Sequence, residues 1–272
     1  MNSVPAAQRA ASLPMYLSRP DALHALWGFL RQQLLAAGLQ RLPMELQWPG
    51  DLHHHWLDPD LLLSQACGYP LVTFLSGRVR VIGSFRYSAE GCDEHLCRSA
   101  LIVRGNDPAT SLTDLRGRII AFNSTDSQSG YNALRALVAP LAHGERFFSQ
   151  AFETGSHRAS LELVAEGRSD LAALDCVTLA GLRLSQPALC QHIRVLGWSD
   201  PYPGLPLITA GDTDDETLRL LRQALMQAVQ APELAEPLKA LFIQEFVPLH
   251  VDDYAVCSTM RDRALALGCT AL

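Results

Sequence analysis

Short apolar runs alternate with longer amphipathic ones along this chain, and that rhythm restricts it to an α/β architecture. "SLPMY" (12–16) reads as a strand. It leads into "DALHALWGFLRQQLLAAGL" (21–39), where Leu23, Leu26, Phe29, Leu30, Leu34 and Leu35 recur at helical spacing behind an Asp21 cap. "MELQW" (44–48) reads as a strand, "DPDLLLSQA" (58–66) as a short capped helix, and "YPLVTFL" and "RVRVIGSFRY" as two strands joined at Gly77. "RSALIVRG" (98–105) is a further strand.

A second cycle follows: "TDLRGRIIAFN" as turn and strand, "SGYNALRALVAPL" as helix, "RFFSQAFETG" as strand, "SHRASLELVAEG" as helix and "DLAALD" as strand. The tail adds strands in "HIRVLGWS" and "PLITA", then helices in "DDETLRLLRQALMQAVQAP" and "PELAEPLKALFI". Such alternation predicts parallel sheets flanked by helices, with ligands at the carboxyl ends of the strands. Two lobes are expected. One is built from residues 1–98 and 190–272, the other from 99–189, with chain crossings near 97–104 and 189–199. No internal repeat and no low-complexity linker interrupts this order.

Composition narrows the partners. A net charge of −6 over 272 residues gives no basic field for a nucleic acid, so none is expected as a partner. No run is long and apolar enough to insert stably in a bilayer. The first twenty residues lack the apolar core of a secretory signal, and seven cysteines at irregular spacing suit a reducing compartment. The expectation is a cytoplasmic chain with scattered free thiols; Cys92 and Cys97 pairing or binding metal is the alternative. "DLHHHWLD" raises a metal reading through His53, His54 and His55, but consecutive imidazoles rarely converge on one ion, so a solvated loop is expected.

The stretch "AFNSTDSQSGYNALRAL" (121–137) carries the chemistry. A strand ending at Phe122, a hydroxyl-rich turn and a helix starting near Ser129 aim backbone N–H groups and a helix dipole at one point. That makes an anion pocket, with Ser127 and Ser129 as hydroxyl donors and Gly130 allowing close backbone approach, and Gln128 between them is included among the candidate contacts. The alternative is that Ser127 or Ser129 only caps the helix. Asp126 in the same turn opposes a dianion unless its carboxylate points away.

This turn, with "TGSHRASLELVAEGRSDLAALDCVT" and "WSDPYPGLPLIT", resembles the phosphate/phosphite/phosphonate-binding proteins of ABC importers, whose fold is that of type II periplasmic binding proteins. The likeness runs from about residue 10 to 250. It implies a two-lobed α/β fold that binds a small anionic ligand in the interlobe cleft, without cofactor or metal, and an ABC permease as partner if the chain is exported. It implies His157 as a donor to that anion near neutral pH and Asp175 as a contact for an amino group. Tyr16, Gln65 and Tyr69 are implied as contacts from the first lobe. Tyr69 filling core and Asp175 capping a helix are the alternatives. Cys97 and Arg98 stand where the family commonly has an aromatic residue, so Arg98 is included among the candidate contacts. No nucleophile and base stand at a spacing that signals catalysis. A cytosolic enzyme or sensor on the same fold is the alternative function, with His157 and Asp175 or a cysteine thiolate as its reactive groups.

Overall fold

The structure is a computed structural model that describes residues 8–16 and 18–272; Leu17 and the first seven residues of the stretch read for an export signal lie outside it. In chain order the first half contains β1 (Ala10–Ala11), α1 (Pro20–Ala36), α2 (Leu52–Trp56), β2 (Leu61–Gln65), α3 (Gly68–Val72), β3 (Val79–Tyr87), β4 (Leu96–Cys97), β5 (Ser99–Arg104), β6 (Ile119–Phe122) and α4 (Ala133–Ala142). There follow β7 (Gln150–Glu153), α5 (His157–Ala165), β8 (Leu171–Asp175), α6 (Cys176–Ser185), α7 (Pro187–Cys190), β9 (Ile193–Trp198), β10 (Tyr202–Pro203), β11 (Leu207–Ala210), α8 (Asp215–Ala228), α9 (Ala235–Ala240), β12 (Ile243–Val247) and α10 (Ala255–Ala266).

Two five-stranded sheets organise these elements, one in the order β1-β2-β11-β3-β12 and the other β7-β6-β8-β5-β9. Both are mixed, which corrects the expectation of parallel sheets. β6 runs parallel to β7 and β8, but β5 and β9 run against their neighbours, as β11 does against β2 and β3. The physical reason lies in the connections: β5 and β11 each follow a chain crossing from the other sheet and enter from the opposite end. The short pair β4 and β10, antiparallel through Cys97 and Tyr202, joins the two crossings.

Alternation in β5 shows why the second sheet forms. Leu101 and Val103 face the core under α4, whereas Ala100 and Ile102 face the core under α5 and α6. The first sheet was harder to read from sequence. "DPDLLLSQA" is the strand β2 and not a helix; its five residues are all buried, and a short run buried on both faces has no diagnostic period. "YPLVTFL" contains the short helix α3 and not a strand, with Pro70 inside the first turns where its missing N–H costs nothing. "MELQW" forms no strand, and β1 lies at Ala10–Ala11 rather than in "SLPMY". "PELAEPLKALFI" splits into a short turn, α9 and the start of β12. Among the described residues no helix is long and apolar enough to cross a membrane.

Candidate ligand-binding site

Parallel pairing places the carboxyl ends of β6, β7 and β8 together: Phe122 lies opposite Glu153, and Ala121 opposite Ala172. Each strand therefore delivers its following loop to the same edge. After β6 comes a wide helical turn, Gln128–Asn132, in which the Asn132 N–H donates to Ser127 O at 2.9 Å, one residue beyond the α-helical spacing. This π-type turn enters α4. Ser127 Oγ accepts from the Gly130 N–H at 3.0 Å, so the capping alternative is geometrically real at Ser127. Ser129 is not so engaged; its Oγ lies 2.9 Å from His157 Nε2 and 3.5 Å from Ser127 Oγ.

His157 is the first residue of α5, whose cap is Ser156. Burial pushes its imidazole down to about 4, against a smaller opposing effect of the Ala173 backbone. It is therefore neutral at pH 7, which corrects the expectation of an imidazole titrating near neutrality. His157 Nδ1 and the nearby Asn123 Oδ1 are buried and have no hydrogen-bond partner among the described residues. Gly130 allows this convergence: a Cβ there would collide with Asn123 Oδ1 and stand 3.2 Å from His157 Cε1. Gly130→Ala should lose about 1–3 kcal/mol of stability by overpacking. Urea denaturation checks this; an unchanged midpoint would mean that Asn123 moves aside freely.

At the end of β8, Asp175 accepts the Thr178 N–H at 2.8 Å and caps α6. Its other oxygen accepts the Tyr16 hydroxyl at 3.2 Å, a contact spanning 159 positions. Burial, reinforced by Cys176, pushes the Asp175 carboxyl up to about 7. Tyr16 also stacks edge-on against Tyr87 with ring centroids 5.4 Å apart. Gln65, at the end of β2, is buried with Oε1 unpaired among the described residues.

Three other candidates are engaged elsewhere. Gln128 turns its amide toward α10, donating to Met260 Sδ at 3.2 Å and accepting from Asn132 at 2.9 Å. The Tyr69 hydroxyl accepts from Arg135 of α4 at 3.5 Å. Arg98 donates to Ser199 O at 3.0 Å, tying the two crossings together.

Sequence reading missed the mate of Asp126, which is His53 at 2.6 Å. The "DLHHHWLD" stretch is the helix α2 and not a loop: Asp51 caps it by accepting the His54 N–H, and His55 is buried. Asp126 points at His53 and also accepts from Ser124, which takes its carboxylate away from the hydroxyl cluster. Both partners are exposed, so His53→Ala should cost less than about 1 kcal/mol, an effect shrinking with salt. Thermal melts at low and high ionic strength check this.

A family model described as the ABC transporter phosphonate periplasmic substrate-binding protein matches residues 63–254, well over half the chain. The chain belongs to this family. Solved structures agree on the fold. A binding component of an ABC phosphonate transporter from Pseudomonas aeruginosa is 17% identical, with a TM-score of 0.76 over 96% of this chain and 88% of that one. PhnD1 from Prochlorococcus marinus, in complex with methylphosphonate, is 16% identical with a TM-score of 0.73, covering 96% and 98%. A Xanthomonas citri protein bound to ATP is 18% identical with a TM-score of 0.71, covering 96% and 98%. No curated protein sequence matches the chain. As a member of the phosphonate-binding family, the chain has the two-lobed α/β fold with a cleft between its sheets.

Proposed function

We propose that this chain binds a small phosphonate- or phosphate-type anion in the interlobe cleft. The observation that carries the proposal is the convergence of Ser127, Ser129 and His157 on the wide turn entering α4, with His157 Nδ1 buried and unpaired beside it among the described residues. Hydroxyls and backbone N–H groups at a helix start suit an oxyanion. Tyr16 and Asp175 face a second portion of the ligand, and a carboxyl poised near neutrality suits an amino or hydroxyl substituent. Gln65 joins them from the first sheet. Gln128, Tyr69 and Arg98 support the pocket by holding the sheets and crossings in place. Two relatives of the same fold are complexes with methylphosphonate and with ATP, both phosphorus oxyanions, which supports this ligand class.

Lobe movement is part of the proposal. Because β9 pairs with β5 in the second sheet, we place the crossings at Cys97–Ser99 and Trp198–Tyr202. Calorimetric titration with phosphate, phosphite, methylphosphonate and 2-aminoethylphosphonate tests the reading; heat of binding from none of them would overturn it.

One observation favours an enzymatic reading: Ser129 Oγ and His157 Nε2 are spaced like a nucleophile and its base. Against it, Asp175 is held by Tyr16 and the Thr178 N–H, not by His157. The expected result is no turnover of an activated phosphate ester. The family supplies binding proteins to ABC transporters. The seven cysteines are free, and we propose that they work reduced; recovery of a processed periplasmic form would make the chain the capture component for a permease.

A further inference from the structure

Three of the seven cysteines converge at the junction of the two sheets. Cys92 Sγ lies 3.8 Å from Cys97 Sγ and 3.4 Å from Cys176 Sγ, and all three sulfurs fall within 4.8 Å of one another. This departs from the expectation of scattered thiols. A zinc ion with Zn–S bonds near 2.3 Å in tetrahedral geometry sets its sulfurs about 3.8 Å apart, so the trio has the spacing of three ligands around one ion.

The backbone builds this arrangement. Asp93 and Leu96 exchange hydrogen bonds of 2.9 and 2.8 Å, forming a tight hairpin loop that sets Cys92 and Cys97 on opposite arms. The Cys176 N–H donates to Arg98 O at 3.2 Å, fixing the third thiol against the same crossing. Gly91, with φ of +95°, lets the loop approach closely: a Cβ there would strike Trp198 and lie 3.0 Å from Cys176 Cβ. Cys97 and Cys176 are buried and Cys92 is partly open, which leaves one side of the cluster reachable.

We infer that Cys92, Cys97 and Cys176 form a binding site for a single thiophilic d10 cation, Zn²⁺ or Cu⁺, at the junction between the lobes. Soft thiolates without oxygen ligands select this class. Loading Zn²⁺ displaces the thiol protons of Cys92, Cys97 and Cys176 to solvent and forms three Zn–S bonds, with water completing the fourth position. Cys92 and Cys97 follow β3 of the first sheet and Cys176 follows β8 of the second, so the ion would staple the lobes together. Its assembly needs neither the anion nor its pocket.

The test uses the whole chain, reduced until all seven thiols react, then titrated with Zn²⁺ alone or, without oxygen, with Cu⁺, against a chromophoric chelator. One ion per chain should be withheld from the chelator. Zn²⁺ held more tightly than Cu⁺ relative to free cysteine indicates a four-coordinate site, and the reverse a trigonal one; either supports the inference. Co²⁺ should give the intense charge-transfer and ligand-field bands of a tetrahedral thiolate site. Cys92→Ser and Cys176→Ser should each weaken retention by about tenfold or more, while Cys190→Ser leaves it unchanged. Should the serine variants fail to fold, alkylation of the parent serves: the ion must protect the partly open Cys92 and leave Cys190 reactive. No retained ion, or protection spread over other cysteines, would overturn the site.

Discussion

Ser129→Ala should weaken binding of a phosphonate by about tenfold to a hundredfold, the loss expected when one charge-assisted hydrogen bond of about 1.5–3 kcal/mol is removed. Ser129 Oγ is the pocket hydroxyl not committed to a helix cap; its neighbours are His157 Nε2 and Ser127 Oγ. Ser127→Ala, in contrast, removes the acceptor of the Gly130 N–H and should lower stability by about 1 kcal/mol as well as affinity. The pair of variants separates binding from capping. If Ser129 acted only as a structural residue, Ser129→Ala would shift the melting temperature and leave the titration curve in place. Calorimetry with methylphosphonate on both variants, beside thermal melts without ligand, decides between these outcomes.

The contrast between the two sheets shows what a sequence discloses. In the second sheet Ala100, Leu101, Ile102 and Val103 alternate between two cores, and α5 and α6 follow Ser156 and Asp175, which cap them. In the first sheet β2 is buried on both faces and α3 is an apolar turn around Pro70, so local pattern assigns them wrongly. The strand direction of β5 and β11 follows from crossings that no local window contains. Side-chain pairing is similarly non-local. The turn at Ser127–Gly130 was legible because one continuous segment forms it, whereas His53 meets Asp126 across 73 positions and Cys92 meets Cys176 across 84. Arg98 and Tyr69 stood at suggestive positions, but their polar atoms are held by Ser199 and Arg135.

Solvation of His157 was also beyond reach of the sequence, and it leads to a pH dependence with a definite sign. An imidazole in the unfolded chain titrates near 6.5, but burial lowers it to about 4 in the folded protein. The unfolded state therefore takes up the proton first. The stability contributed by neutral His157 is complete above pH 6.5 and is lost progressively as pH falls through about 4. The full difference corresponds to a ceiling of about 3 kcal/mol; since the ring is only partly buried by surface area, solvent screening will make the measured loss smaller. His157→Gln, which keeps a hydrogen-bonding group beside Ser129 without titrating, should flatten this part of the curve. Bound anion reverses the balance, because negative charge beside the ring favours imidazolium. Methylphosphonate affinity of the parent, relative to the glutamine variant, should then rise as pH is lowered from 7 toward 5, with proton uptake measurable by titrating in buffers of different ionisation enthalpy. Parallel urea-stability curves for parent and variant between pH 7 and 4 would show that His157 stays protonated or solvated in the fold. Equal affinity ratios over that range would remove it from the anion contact.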